Sequence, residues 1–196
     1  MTEAAAPRRR RITPERAAEW YAAALDLLGE GGYEALTMEA VAARTRTSKA
    51  TLYRRWGGKA GLVVAAMRHH RHGGIADVDT GSLRGDFEAL LAREDEAAME
   101  RMVSLMRALA MAIHHHPDLA RAFRERLIDP EMDAFRRALG RAVDRGEIRA
   151  DNPALDYAAH MLLGAFVARD LFDDLPPTQA FLRGYIDAVF LPVLVA

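Results

Sequence analysis

The chain of 196 residues contains no cysteine. Thiol nucleophiles, thiolate zinc sites and disulfide redox chemistry are thereby excluded. Long apolar runs are missing too. The least polar stretch, Tyr157 to Ala168, is broken by His160 and falls short of the ~20 residues a membrane helix needs. No apolar segment follows the basic run Arg8 to Arg11, so that run is not read as a secretory signal. There is no Gly-rich phosphate loop, no nucleophile elbow and no acid–base pair at diagnostic spacing, so nothing argues for an enzyme. No cofactor and no metal are expected, and the chain is read as soluble, cytoplasmic and without a membrane partner.

What is present is enough to build a core. The composition is 51% hydrophobic and 28% charged, which excludes disorder and collagen-like repeats. The net charge of −1 conceals an asymmetry. Residues 1–72 carry 13 Lys and Arg against 7 Asp and Glu, and the rest carry 14 against 21. A basic first third suggests a polyanion at one end and something else at the other, with chance unevenness as the plain alternative.

Every periodic segment has a helical period. Ala17, Tyr21, Leu25 and Leu28 share one face of a first helix from Pro14 to about Glu30, capped by Thr13 and ended by Gly31-Gly32. Thr37 caps a short helix with Val41 and Ala42 inside, and Ser48 caps another reaching about Trp56. Gly57-Gly58 separates that from a fourth helix, Lys59 to near Arg71. Further helices are expected around Leu83 to Leu91, Met99 to Ile113, and from Pro117, with Pro130 kinking or restarting the last. Two more run from about Pro153 to Phe172 and from Pro177 to the end. The expected fold is all-α with about nine helices. A basic arm (1–12) precedes a first helical domain (13–72), and a second helical domain (82–196) follows.

The last two helices are apolar nearly all round. A domain this small can cover one such face with its own core, so the other is expected to meet a second copy. Small residues such as Ala158, Gly164 and Ala165 would allow close approach. A tightly packed monomer is the alternative.

Residues 37–56 form two short helices separated by a polar turn, the pattern of a helix-turn-helix whose second helix fits a major groove. Thr47, Ser48, Lys49, Ala50 and Thr51 sit where side chains reach bases and phosphates, and Tyr53, Arg54 and Arg55 lie a turn later. Lys59, with the amides that open the next helix, can grip a phosphate. Leu52 and Trp56 point inward. The run from Ala17 to Met67 resembles the tetracycline-repressor (TetR) family. The resemblance rests on Gly31-Gly32-Tyr33, Leu36-Thr37, Val41-Ala42, Ser48-Lys49-Ala50-Thr51-Leu52-Tyr53, and Lys59 with Leu62. Residues 141–148 (Arg-Ala-Val-Asp-Arg-Gly-Glu-Ile) look like one of its sensor subclasses.

The resemblance implies a homodimeric regulator, by default a repressor, on a near-palindromic double-stranded operator, released by a small-molecule effector; it makes 13–72 an N-terminal helix-turn-helix DNA-binding domain and 82–196 a C-terminal ligand-sensing and dimerisation domain. It makes Thr37, Tyr53 and Lys59 phosphate contacts and puts Ser48, Lys49, Ala50, Thr51 and Arg55 at or near base edges. The doubly basic Arg54-Arg55 departs from the family pattern. Arg55 either reads a guanine or adds phosphate affinity, the second being favoured. Arg8 to Arg11 are either a minor-groove arm or a solubilising tail. Activation, or a helical partner-binding role with the same fold, is the alternative function.

Two histidine groups, His69, His70 and His72 and then His114 to His116, fit helix C-termini better than a metal site. Pocket candidates are Met99, Met102, Met106, Phe123, Phe135, Met161 and Phe166, each equally at home in a plain core. His160 faces either a ligand or a core partner. An apolar or aromatic effector is the expectation.

Overall fold

Thr13 opens the first helix, its hydroxyl accepting the Arg16 N–H at 3.3 Å with Pro14 next in line. The computed structural model describes residues 13–70, 74–93 and 95–195. The elements are α1 (Pro14–Ala35), α2 (Met38–Arg44), α3 (Lys49–Trp56), α4 (Lys59–His70), α5 (Leu83–Arg93), α6 (Glu96–His115), α7 (Pro117–Phe123), α8 (Asp129–Asp144), α9 (Ala158–Asp173), α10 (Gln179–Tyr185) and α11 (Leu191–Val195). Short 3₁₀ turns at Ile75–Asp77 and Pro153–Tyr157 precede α5 and α9. No strand occurs among the described residues. The expected end of the first helix falls where α1 breaks, at Gly32 with φ 73°, and a further helical turn follows it.

Pro130 lies in the first turn of α8, where the sequence expects a kink or a restart. A π turn, Arg124–Ile128, joins α7 to α8 without interruption. A second π turn, Ile186–Phe190, joins α10 to α11. Each ends two residues before a proline, Pro130 or Pro192. Proline lacks an N–H and its ring presses on the carbonyl four residues back, and a widened turn at that point relieves the clash without ending the rod.

Two apolar clusters hold the chain. The first gathers Leu28, Leu36, Val41, Leu52, Leu62 and Met67 from α1–α4, and is completed by Leu105 and Leu109 of α6, Leu119 of α7 and Leu127. Trp20 meets Trp56 edge-on at 5.3 Å within it. The first four helices therefore share their core with α6 and α7. The second gathers Leu83, Phe87, Phe135, Leu139, Phe190 and Leu194. Phe87 stands edge-on to Phe190 at 5.3 Å.

The 141–148 segment ties α8 to α5 and to the stretch before it. Arg141 donates to the Val78 carbonyl at 2.7 Å and approaches buried Asp86 at 3.6 Å. Gly146 turns the chain at φ 76°, and Glu147 accepts the Leu83 N–H at 2.7 Å, capping the start of α5. No helix among the described residues is long and apolar enough to cross a membrane.

Candidate nucleic-acid interface

Hydroxyl caps shape the site. Thr37 accepts the Ala40 N–H at 3.0 Å and starts α2. Ser48 accepts the Thr51 N–H at 3.2 Å and starts α3, with the two hydroxyls 2.8 Å apart. Caps of this type contribute about 1 kcal/mol each. Between them, Thr45 is buried and donates to the Val41 carbonyl at 2.7 Å, and Arg46 takes a left-handed φ of 51°. Gly57, at φ 77°, ends α3. The turn is braced from α1, where Glu30 receives both Arg44 nitrogens at 2.9 Å and Arg16 donates to the Thr45 carbonyl.

Leu52 and Trp56 face the core, as the pattern predicts. That leaves Lys49, Ala50, Tyr53, Arg54 and Arg55 exposed along α3, with Thr51 and Thr47 half-buried and Ser48 and Thr37 exposed at the helix starts. The exposed face carries three cations and no acid. Across the turn, Lys49 pairs with Glu39. The lysine hydrogen bond holds the Glu39 carboxyl below its ordinary range, and the same bond raises Lys49.

Lys59 is not a free surface cation. Its ammonium donates to the Tyr33 carbonyl at 2.8 Å and lies 3.9 Å from that ring's centroid. It is half-buried at the start of α4, on the side where α3 ends. Gly61 permits this proximity: a Cβ there would fall 2.1 Å from the Trp56 carbonyl. Sequence reading did not single out Tyr33 as a buttress or Gly61 at all. The signal was available only as a glycine inside an otherwise good helix.

Other candidates lie elsewhere. Arg8 to Arg11 and His72 fall outside the described residues. His69 packs against Tyr21 with centroids 4.9 Å apart, and His116 contacts Glu34 and the Tyr33 ring. His114 and His115 are exposed. Among the described residues no three His, Asp or Glu groups are placed to hold a metal ion.

The pocket candidates do not gather at one place. Met102, Met106 and Phe123 pack on the first cluster, while Phe135 belongs to the second and Met161 packs on it. Met99 is buried, Phe166 half-buried, and His160 exposed with its ring 6.5 Å from that of Tyr157. A groove of about 380 Å³ between the α3–α4 turn and α7 is lined by Gly58, Lys59, Asp118 and Arg126, and by none of these eight.

Comparison with known proteins agrees with this geometry. Residues 21–66 match the family described as bacterial regulatory proteins, tetR family, and residues 77–189 match the Tetracyclin repressor-like, C-terminal domain. The chain is 34% identical to a DNA-binding transcriptional repressor TetR of Mycobacteroides abscessus, over 91% of this chain and 94% of that one. It is 36% identical to an uncharacterised HTH-type transcriptional regulator of Mycobacterium tuberculosis, over 91% and 88%. A solved TetR transcriptional regulator from Agrobacterium tumefaciens shares the fold, with TM-score 0.64, 22% identity and coverage of 93% and 95%. Family and relatives are regulators of transcription, not enzymes. Two capped helices presenting a cationic face, on a chain matched along almost its whole length, make this protein a member of the TetR family of DNA-binding transcriptional regulators.

Proposed function

We propose that the chain is a ligand-responsive repressor that binds a near-palindromic operator as a homodimer. The observation that carries the dimer is the outward strip of α9. Leu163, Val167 and Leu171 recur every four residues on it and are 64%, 52% and 72% exposed. Val189 and Val193 on the last rod are also open to solvent, and beside Gly164 and Gly184 there is empty space. An apolar strip with room for close helix approach needs a second apolar surface.

Two copies would set two α3 helices about 34–36 Å apart, one turn of DNA. Thr37, Tyr53 and Lys59 would hold phosphates, and Ser48, Lys49, Ala50 and Thr51 would lie at base edges, with Thr47 and Arg54 beside them and Arg55 near the bases at the groove rim. Repression is supported by the relative in Mycobacteroides abscessus, a DNA-binding transcriptional repressor. A small apolar or aromatic effector, taken up in the C-terminal half among methionine and phenylalanine side chains, would release the operator. Such a protein works in the cytoplasm, where its DNA is.

Fluorescence anisotropy with duplex DNA from upstream of its own gene, and with a scrambled duplex, tests the reading. Binding in the nanomolar range for the first, at least about a thousandfold tighter than for the second, is the expected result. Equal weak binding, together with failure to select any sequence from a random library, would overturn it.

A further inference from the structure

We propose that Glu39 is a positioning residue for Lys49, turning it from a general phosphate cation into half of a donor–acceptor couple that reads one G·C pair in each half-site. The proposal rests on the reading of Lys49 as a base-edge residue.

Lys49 is the first residue of α3, where a helix start disfavours a cation. The open N–H groups there carry partial positive charge, which repels an ammonium and attracts a carboxylate. The first turn of α3 has no acid of its own. Glu39 supplies one from α2, ten residues earlier in the chain, and its Oε1 accepts from the Lys49 ammonium. Glu39 is itself anchored, since it sits in the first turn of α2 and its own backbone N–H bonds its carboxylate. The pair therefore joins the starts of both helices of the helix-turn-helix. Both side chains are about half exposed, so the pair lies on the surface and not in the core.

A lysine on a free four-carbon stem is a mobile point charge that meets whichever phosphate is near. Held by Glu39, the ammonium has a fixed place. Two of its three N–H groups are left for DNA, with no other acceptor among the described residues. The carboxylate beside it adds an acceptor. In the major groove a G·C pair offers the guanine N7 and O6 acceptors next to the cytosine N4 amino donor. The couple matches that row, lysine to guanine and glutamate to cytosine. The same carboxylate offsets the lysine charge towards phosphates, so Lys49 adds selectivity and little sequence-independent attraction. Arg54 and Arg55, further along the helix, keep the latter role.

The test uses the full-length protein and three kinds of DNA. These are a duplex selected from a random library, a set in which each base pair of its half-site is replaced in turn, and a scrambled duplex. All are read by anisotropy across a salt series. Wild type should lose about tenfold in affinity on replacement of one particular G·C pair. Glu39→Ala should cut that penalty to about twofold or less and leave those at other positions as they were. It should also bind the scrambled duplex about threefold to tenfold tighter and steepen its salt slope by about one per half-site. Glu39→Gln keeps the side-chain length and an acceptor but not the charge. It should show the same steeper slope and retain part of the penalty. The double variant Glu39→Ala and Lys49→Ala restores the charge balance, so it should bind the scrambled duplex as wild type does while still lacking the penalty. Asp133→Ala, which breaks an exposed pair with Arg136 on α8, should reproduce wild type throughout.

A Glu39→Ala variant with the wild-type G·C penalty and salt slope would overturn the inference and leave DNA binding intact. Equal loss of affinity for the selected and scrambled duplexes would also overturn it, by showing that Glu39 only braces the fold. A wild type that distinguishes no duplex from any other would bring down the base-edge reading of α3 and this inference together.

Discussion

Asp86 and Arg141 meet at 3.6 Å with the carboxylate wholly buried. The other Asp86 oxygen accepts the Thr80 N–H at 2.6 Å and the Thr80 hydroxyl at 2.9 Å. One acid on α5 thereby fixes both the stretch leading into that helix and the guanidinium on α8 that holds the Val78 carbonyl. Removing it leaves the Thr80 N–H without its acceptor and a partly buried cation without its partner. Asp86→Ala should cost about 3–5 kcal/mol in denaturant unfolding at fixed protein concentration. Asp86→Asn keeps an acceptor for Thr80 and should cost about 1–2 kcal/mol. Equal midpoints for Asp86→Ala and wild type would contradict this account.

This motif also shows how far the sequence could be read. Thr37, Ser48 and Gly57 announce helix boundaries through local chemistry, and the structure places caps at all three. Leu52 and Trp56 were legible as inward positions because a short helix exposes its period directly. Asp86 was not legible, since a lone acid in an amphipathic helix looks the same whether it faces water or a distant arginine. Pro130 marked the start of α8, but the π turn that carries the rod from α7 into it leaves no mark in composition. Lys59 was found as a cation, but its attachment to Tyr33 depends on contacts across 26 residues of chain. The methionines and phenylalanines proposed for the pocket divide between two clusters because apolar periodicity reports burial, not which core does the burying.

Gly61 gives a prediction that helix propensity alone would reverse. Replacing a glycine inside a helix by alanine ordinarily stabilises it by about 1 kcal/mol. Here the added Cβ would fall 2.1 Å from the Trp56 carbonyl, and backbone must give way. Gly61→Ala should therefore destabilise by about 1–3 kcal/mol and weaken DNA binding, by pushing α4 and Lys59 away from the end of α3. Thermal unfolding and anisotropy on one preparation test both parts. A raised melting temperature would show that the two helices are not held together at this point.

Tyr33 sets a limit at alkaline pH. Burial, with the charges of Asp118 and Glu34 adding to it, pushes its hydroxyl up to about 12. The folded value lies above the unfolded one, so the contribution to stability is fully present below about pH 10 and is lost as pH rises towards about 12. Tyrosinate absorbance should show Tyr33 ionising late, and Tyr33→Phe should remove part of the alkaline loss of stability. A tyrosinate count that is complete before pH 11 in the folded protein would be incompatible with this burial.

The α9 strip predicts an oligomeric state. Leu163 and Leu171 are exposed in the single chain, so charging them leaves its own core intact. The double variant Leu163→Glu and Leu171→Glu should fold with wild-type helicity and sediment as a monomer, whereas wild type sediments as a dimer. Operator affinity should fall by at least about a hundredfold, because each half-site must then be bound separately. A variant that stays dimeric would move the interface off α9.

Arg55 separates two modes of contact on one helix. It is exposed one turn after Thr51, on the face without acids, and is free to meet either a guanine edge or a phosphate. A bidentate guanine contact is worth about 1–3 kcal/mol of discrimination at one base pair. A phosphate contact carries no sequence information and contributes about one unit to the slope of log affinity against log salt. Arg54 and Arg55 both follow Tyr53, and two adjacent cations at the end of a short helix fit the rim of the groove better than its floor. Arg55→Ala should accordingly weaken binding to specific and scrambled duplexes by similar factors and lower the salt slope by about one. Arg55→Lys should recover most of that loss, since a lysine serves as a point charge but not as a planar fork. Loss confined to the specific duplex, unrescued by lysine and traceable to a single base pair, would instead place Arg55 on a guanine.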